Sequence, residues 1–87
     1  MNSEDRLGLQ VEQRVEPGSM PRPVAFIWQG TRWVVNSVGR TWDSDGERHY
    51  LLMVQSGRVF ELAYSDEAAS WRLVRRPEDF GSSRKAS

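Results

Sequence analysis

The sequence has no cysteine, a single histidine (His49), a single lysine (Lys85) and no long unbroken apolar run. Each absence closes off a class of function. Without thiols there is no disulfide framework, thiolate metal site or cysteine nucleophile, and the chain is compatible with a reducing cytoplasm. A membrane-spanning helix needs about 18 consecutive apolar residues. The opening Met1-Asn2-Ser3-Glu4-Asp5-Arg6 offers no apolar stretch for a signal peptide. The expectation is a soluble cytoplasmic protein with no membrane partner. An excess of charge of one sign is also missing: twelve Lys plus Arg balance twelve Asp plus Glu. No global field therefore draws in a polyanion.

What the sequence does have is aromatic residues and arginine. Its 87 residues suffice for one domain but not for two with separate cores. A domain of this size buries only about 60% of its unfolded surface. Four Trp, three Phe and two Tyr suit that need, since each buried ring removes roughly 150–250 Å² from water. All basic residues other than Lys85 are arginine. Arginine binds phosphate and carboxylate bidentately and stacks on rings, although a GC-rich genome also enriches it.

Short alternating runs broken by glycine turns organise the chain. After a polar tail (1–7), Leu9, Val11 and Val15 alternate with polar residues, and Gln13 occupies a position where an apolar residue is expected. This reads as a strand with one buried face, though its length also suits a two-turn helix. Pro17-Gly18-Ser19-Met20-Pro21-Arg22-Pro23 must be a loop. Val24, Phe26 and Trp28 then share a face, and Thr31, Trp33 and Val35 continue it across a Gln29-Gly30 hairpin turn. Phe26 is expected near Trp33 or Val35. The apolar phase resumes at Val38 rather than Ser37, beside Gly39, which points to a β-bulge that bends the strand.

Asp43-Ser44-Asp45-Gly46-Glu47 reads as a polar turn. The run from His49 to Val54 is apolar on both faces, as in a central, doubly covered strand. Gln55-Ser56-Gly57 suits a three-residue hairpin loop with Gly57 in the left-handed position. That register places Phe60, Leu62 and Tyr64 on the face of Tyr50, Leu52 and Val54, whereas a two-residue Ser56-Gly57 loop would reverse it. A loop from Ser65 to Ser70, with room for one helical turn around Glu67-Ala68-Ala69, leads to a last strand at Trp71, Leu73 and Arg75. Pro77 ends that strand, and 77–87 reads as a solvated tail. The expected fold is all-β: an antiparallel meander of five or six strands over 8–76, curled into a barrel or roll. Its core is expected to hold Phe26, Trp28, Trp33, Val35, Leu52, Phe60, Leu62 and Trp71.

No constellation of residues carries catalysis. The cluster Asp43, Asp45, Glu47 lacks the calcium-loop spacing of Gly at the sixth and Glu at the twelfth position. His49 reads as a surface residue at a strand entry, with no orienting partner or nucleophile indicated. Asp43 and Glu61 are the formal carboxylate pair, without supporting spacing. Phosphate loops and nucleophile elbows are absent. The remaining candidates are Arg32, Arg58, Arg72 and Arg76, which alternate with core positions and so should point outward. Trp42 and Tyr64, near strand ends, are the rings expected to be exposed. A basic groove with stacking rings is how small β-barrels hold single-stranded nucleic acid.

The run Arg22-Pro23-Val24-Ala25-Phe26-Ile27-Trp28-Gln29-Gly30-Thr31-Arg32-Trp33-Val34-Val35, with Val38 and Trp42 behind it, resembles a family of small bacterial domains of unknown function common in actinobacteria. Val59-Phe60-Glu61-Leu62-Ala63-Tyr64 leading to Trp71-Arg72-Leu73 extends the resemblance, which covers Leu9 to Arg76. Members of that family stand free or are appended to error-prone, Y-family-like DNA polymerases. The resemblance implies a fold, no catalytic residues and no cofactor, and a role as an accessory to DNA repair or replication proteins. Ile27 and Gln29 stand where the family pattern would place more basic residues. The leading expectation is therefore a non-enzymatic interaction module with a protein partner and no small-molecule substrate. The alternative is a nucleic-acid-binding domain using the outward arginines.

Overall fold

The computed structural model describes residues 8–80. The expected N-terminal tail, 1–7, and the 81–87 portion of the expected C-terminal tail lie outside the described residues. Six strands follow one another: β1 (Gln10–Arg14), β2 (Arg22–Trp28), β3 (Thr31–Ser44), β4 (Glu47–Val54), β5 (Val59–Ser65) and β6 (Ser70–Arg75). They pair antiparallel in chain order as a meander curled into a half-barrel. The region from Gln10 to Arg14 is a strand, not a helix.

The turns follow their glycines. Trp28 faces Thr31 across a two-residue turn in which Gln29 and Gly30 both take positive φ (53° and 75°). This mirror-image geometry matches the twist of the flanking strands. Asp45 and Gly46 repeat it between β3 and β4, with φ of 53° and 80°. The β4–β5 connection is the three-residue loop: Val54 N–H donates to the Arg58 carbonyl at 3.0 Å, and Gly57 sits at φ 89°. Leu52 therefore faces Phe60 and Tyr50 faces Leu62, the expected parity. The β5–β6 connection is a turn without a helix, and Ala69 absorbs the positive φ of 52°.

The fourteen-residue β3 is the backbone of the molecule. Its first part pairs with β2, its second part with β4, and register shifts lie between Val35 and Ser37 and between Val38 and Thr41. The change of apolar phase points to one bulge and the strand has two, which bend it so that the sheet curls. At the outer edges Leu9 N–H donates to the Trp71 carbonyl at 2.9 Å, a single bridge that brings β1 to β6.

Phe26, Tyr50, Leu52, Val54, Phe60, Leu62, Tyr64 and Trp71 form the buried core. Two ring clusters organise it. Phe60 meets Phe26, Trp28 and Trp33 at 5.0, 5.5 and 5.3 Å between ring centroids. Trp71 meets Tyr50 and Tyr64 at 5.2 and 5.0 Å. Trp28, Trp33 and Val35, expected within the core, are half-buried and pack against it. Gln13 stands at its apolar-phase position for a reason: its Oε1 accepts a hydrogen bond from Trp71 Nε1 at 2.8 Å.

Five expectations of the fold need correction. The loop expected through Pro23 ends at Pro21, because β2 begins at Arg22. Tyr64 is buried (7% exposed), because its cross-strand partner Trp71 covers it. Val24 and Val15 are exposed, because β1 and β2 run past the core at that end. Met53 is also exposed, so β4 is covered on both faces only over part of its length. Pro77 ends β6 as expected, but 77–80 then make a helical turn. Its start is capped by Asp79, whose carboxylate accepts the Arg76 backbone N–H at 2.8 Å, and Arg75 lies 4.3 Å from the Phe80 ring centroid.

Candidate functional site

The two halves of β3 diverge from a common point. Pairing between β2 and β3 stops at Ala25–Val34, and pairing between β3 and β4 begins at Val35–Val54. Beyond that point the strand edge of β3 that faced β2 has no strand beside it among the described residues. Local sequence accounts for the opening. Pro21 and Pro23 remove two N–H donors where β2 begins, and proline is tolerated only where a sheet ladder is interrupted or at an edge. The bulges at Asn36 and Gly39 bend β3 away.

The opening is a groove of about 480 Å³, walled by Arg14, Arg22 and Val24 on one side and Val35, Asn36 and Val38 on the other. It continues along β3 past Gly39 to Thr41, under the 18–22 loop and beside Arg48 and Tyr50. The loop is pinned in place by the Tyr50 hydroxyl, which donates to the Pro21 carbonyl. Burial pushes the Tyr50 phenol above its ordinary value, so the group stays a donor.

Charge in this groove is not balanced internally. Arg14 and Arg22 are directly opposed across β1 and β2. Like charges so placed repel, and neither makes an ion pair among the described residues. Arg48 is compensated: its Nε stands 3.2 Å from Asp43 Oδ1 and a terminal nitrogen donates to Oδ2 at 3.5 Å.

The arginines predicted from sequence are placed differently. Arg32 grips Glu12 with two hydrogen bonds of 2.7 Å; these hold the Glu12 carboxyl below its ordinary value and raise the guanidinium. Arg72 holds Glu47 through contacts of 2.8 to 3.3 Å, which lower the Glu47 carboxyl in the same way. Arg76 contacts Asp79 at 3.3 Å and Glu78 at 3.9 Å. Arg58 alone of the four makes no ion pair among the described residues, and it lies 5.7 Å from the Trp33 ring centroid. The four point outward as expected but sit with different partners and do not build one surface.

Trp42 is half-buried and lies flat on His49, with centroids 5.3 Å apart and planes 13° from parallel. His49 corrects its sequence reading: it is buried (8% exposed), and its Nδ1 is 2.8 Å from Glu61 Oε2. An ionised carboxylate can only accept, so Nδ1 is the donor in this contact. The other Glu61 oxygen accepts from Arg75 at 2.6 Å. Glu61 is thus held between two partners, and Asp43 is held by Arg48. The two do not act as a carboxylate pair. No group of three or more acidic, histidine or cysteine side chains among the described residues is arranged to hold a metal ion.

Sequence reasoning missed Arg14, Arg22 and Arg48. The available signal was that Arg14 and Arg22 flank the proline-rich loop evenly enough to face each other once that loop is read as a β–β connection. Among the described residues no helix is long and apolar enough to cross a membrane. No family model, curated protein or solved structure matches the chain.

Proposed function

We propose that the chain is a non-enzymatic interaction module that receives a protein partner in the open groove between β2 and β3. The observation that carries this reading is the groove itself, where among the described residues a strand edge is left without a neighbour and apolar side chains stand beside Arg14 and Arg22, which make no ion pair. Such edges are the usual receptor for another chain. An accessory role beside DNA repair or replication proteins is the context that the family resemblance adds.

Direct binding of nucleic acid through the outward arginines is the less favoured reading. Arg32, Arg72 and Arg76 would first have to give up their carboxylates. Of the two candidate rings, Tyr64 is buried and Trp42 has one face on His49. Fluorescence anisotropy with labelled single- and double-stranded oligonucleotides, at low and then physiological salt, decides between them. The expected result is no binding at low salt. Micromolar binding that weakens steeply with salt would overturn the protein-partner reading.

A further inference from the structure

We infer that the groove binds an extended acidic segment, which adds to the free edge of β3 as a strand and places its carboxylates against Arg14 and Arg22. This rests on the interaction-module reading and specifies the partner's chemistry.

Three observations converge on it. The first is backbone chemistry. Between Val35 and Thr41, β3 pairs with β4 through Ser37 and Val38, with a bulge on either side of them, and has no strand on its other edge among the described residues. Main-chain groups on the other edge want the alternating N–H and C=O of an extended peptide, which a nucleic-acid backbone lacks. The second is the lining. Met20, Val24, Val35 and Val38 offer apolar contact for alternate side chains of such a strand. Among the described residues the only aromatic ring in either part of the groove is Tyr50, and its hydroxyl is tied to Pro21. Without a stacking platform the groove is poorly suited to bases.

The third is charge. Arg14 and Arg22 face each other at the mouth, whereas Arg48, farther along, is already paired with Asp43. Glu16 is the one carboxylate lining the groove, and it pairs with neither Arg14 nor Arg22 among the described residues. A directly opposed arginine pair disfavours folding. A ligand carboxylate between the two guanidinium groups relieves that repulsion, and arginine binds carboxylate bidentately. A neutral or basic segment leaves it in place.

The test is titration of the ¹⁵N-labelled full chain with three eight-residue peptides that alternate valine with glutamate, glutamine or lysine, followed by amide chemical shifts. Expected are shifts confined to 14–24 and 35–41, with the glutamate peptide binding at least tenfold more tightly than the other two. Arg14→Gln with Arg22→Gln should remove that preference while leaving the chain folded, since the substitutions take away a repulsion. Absence of binding by the glutamate peptide, equal affinity for all three, or shifts elsewhere on the molecule each overturn the inference. If the glutamine or lysine peptide occupies the groove instead, the acidic specificity falls while the interaction-module reading stands. That reading falls separately, on salt-sensitive oligonucleotide binding.

Discussion

Glu61 is held from two sides, and each of its oxygens has a different partner. One accepts from His49 on β4, the other from Arg75 on β6. Glu61→Leu removes both acceptors at similar volume, so the buried His49 Nδ1 and the Arg75 guanidinium lose their partner. The expected loss is about 1–3 kcal/mol in urea unfolding, the range for a buried polar group left without its partner. Unchanged stability would mean that the His49–Glu61 contact contributes nothing net. Tyr64 and Trp42 give a second comparison. Tyr64→Ala should lose about 3–5 kcal/mol, as for a large buried ring. Trp42→Ala, at a half-buried ring, should lose less, about 1–3 kcal/mol from partial burial and stacking together, and equal losses would contradict the difference in burial. Both rings sit near strand ends, and strand-end position alone does not separate them. What separates them is the residue on the neighbouring strand, Trp71 in one case and His49 in the other. The same limit hid His49: its cover and its partner come from β3 and β5, which one strand's alternation cannot reveal.

At the scale of elements, the turns were legible because glycine marks where φ becomes positive. Gly57 takes φ 89°, and a Cβ there would meet nothing within 4 Å. Gly57→Val should therefore lose stability through backbone strain alone, about 1–2 kcal/mol, with the β4–β5 ladder still visible in amide exchange. A neutral effect would argue against the three-residue loop. Gln29 presents the opposite case, a long side chain at φ 53° in a turn that favours Asn-Gly. Gln29→Asn should raise the melting temperature, regaining up to about 1 kcal/mol of the cost of a left-handed residue. The bend in β3 was legible as a phase slip at Val38 beside Gly39. The groove was not, because a missing neighbour leaves no trace in the alternation of either strand. It arises from two local causes on separate strands, the prolines of β2 and the bulges of β3, acting where the two should have met.

Over the whole molecule, ion pairs between strands tie stability to pH. Hydrogen bonds from arginine lower the carboxyl groups of Glu12 and Glu47, and the Arg76 backbone N–H and side chain lower that of Asp79. A carboxyl lowered by folding adds stability that is fully present above its unfolded value and is lost as pH falls through its folded value. The melting temperature should therefore hold steady near neutrality and decline below about pH 4. Glu47→Gln should flatten part of that decline, and an identical acid profile would remove the Glu47–Arg72 pair as a contributor. The overall class was legible because a small meander is a succession of local hairpins. Its closure was not, because Leu9 and Trp71 come from opposite ends of the described chain and share one backbone hydrogen bond. That bridge has a consequence for the order of folding. The hairpins of β3 to β6 close short loops, whereas Leu9 meets Trp71 only after nearly the whole chain is in place, and loop closure grows costlier with length. Pulsed hydrogen exchange during refolding should find the β4 and β5 amides protected first and the Leu9 amide among the last.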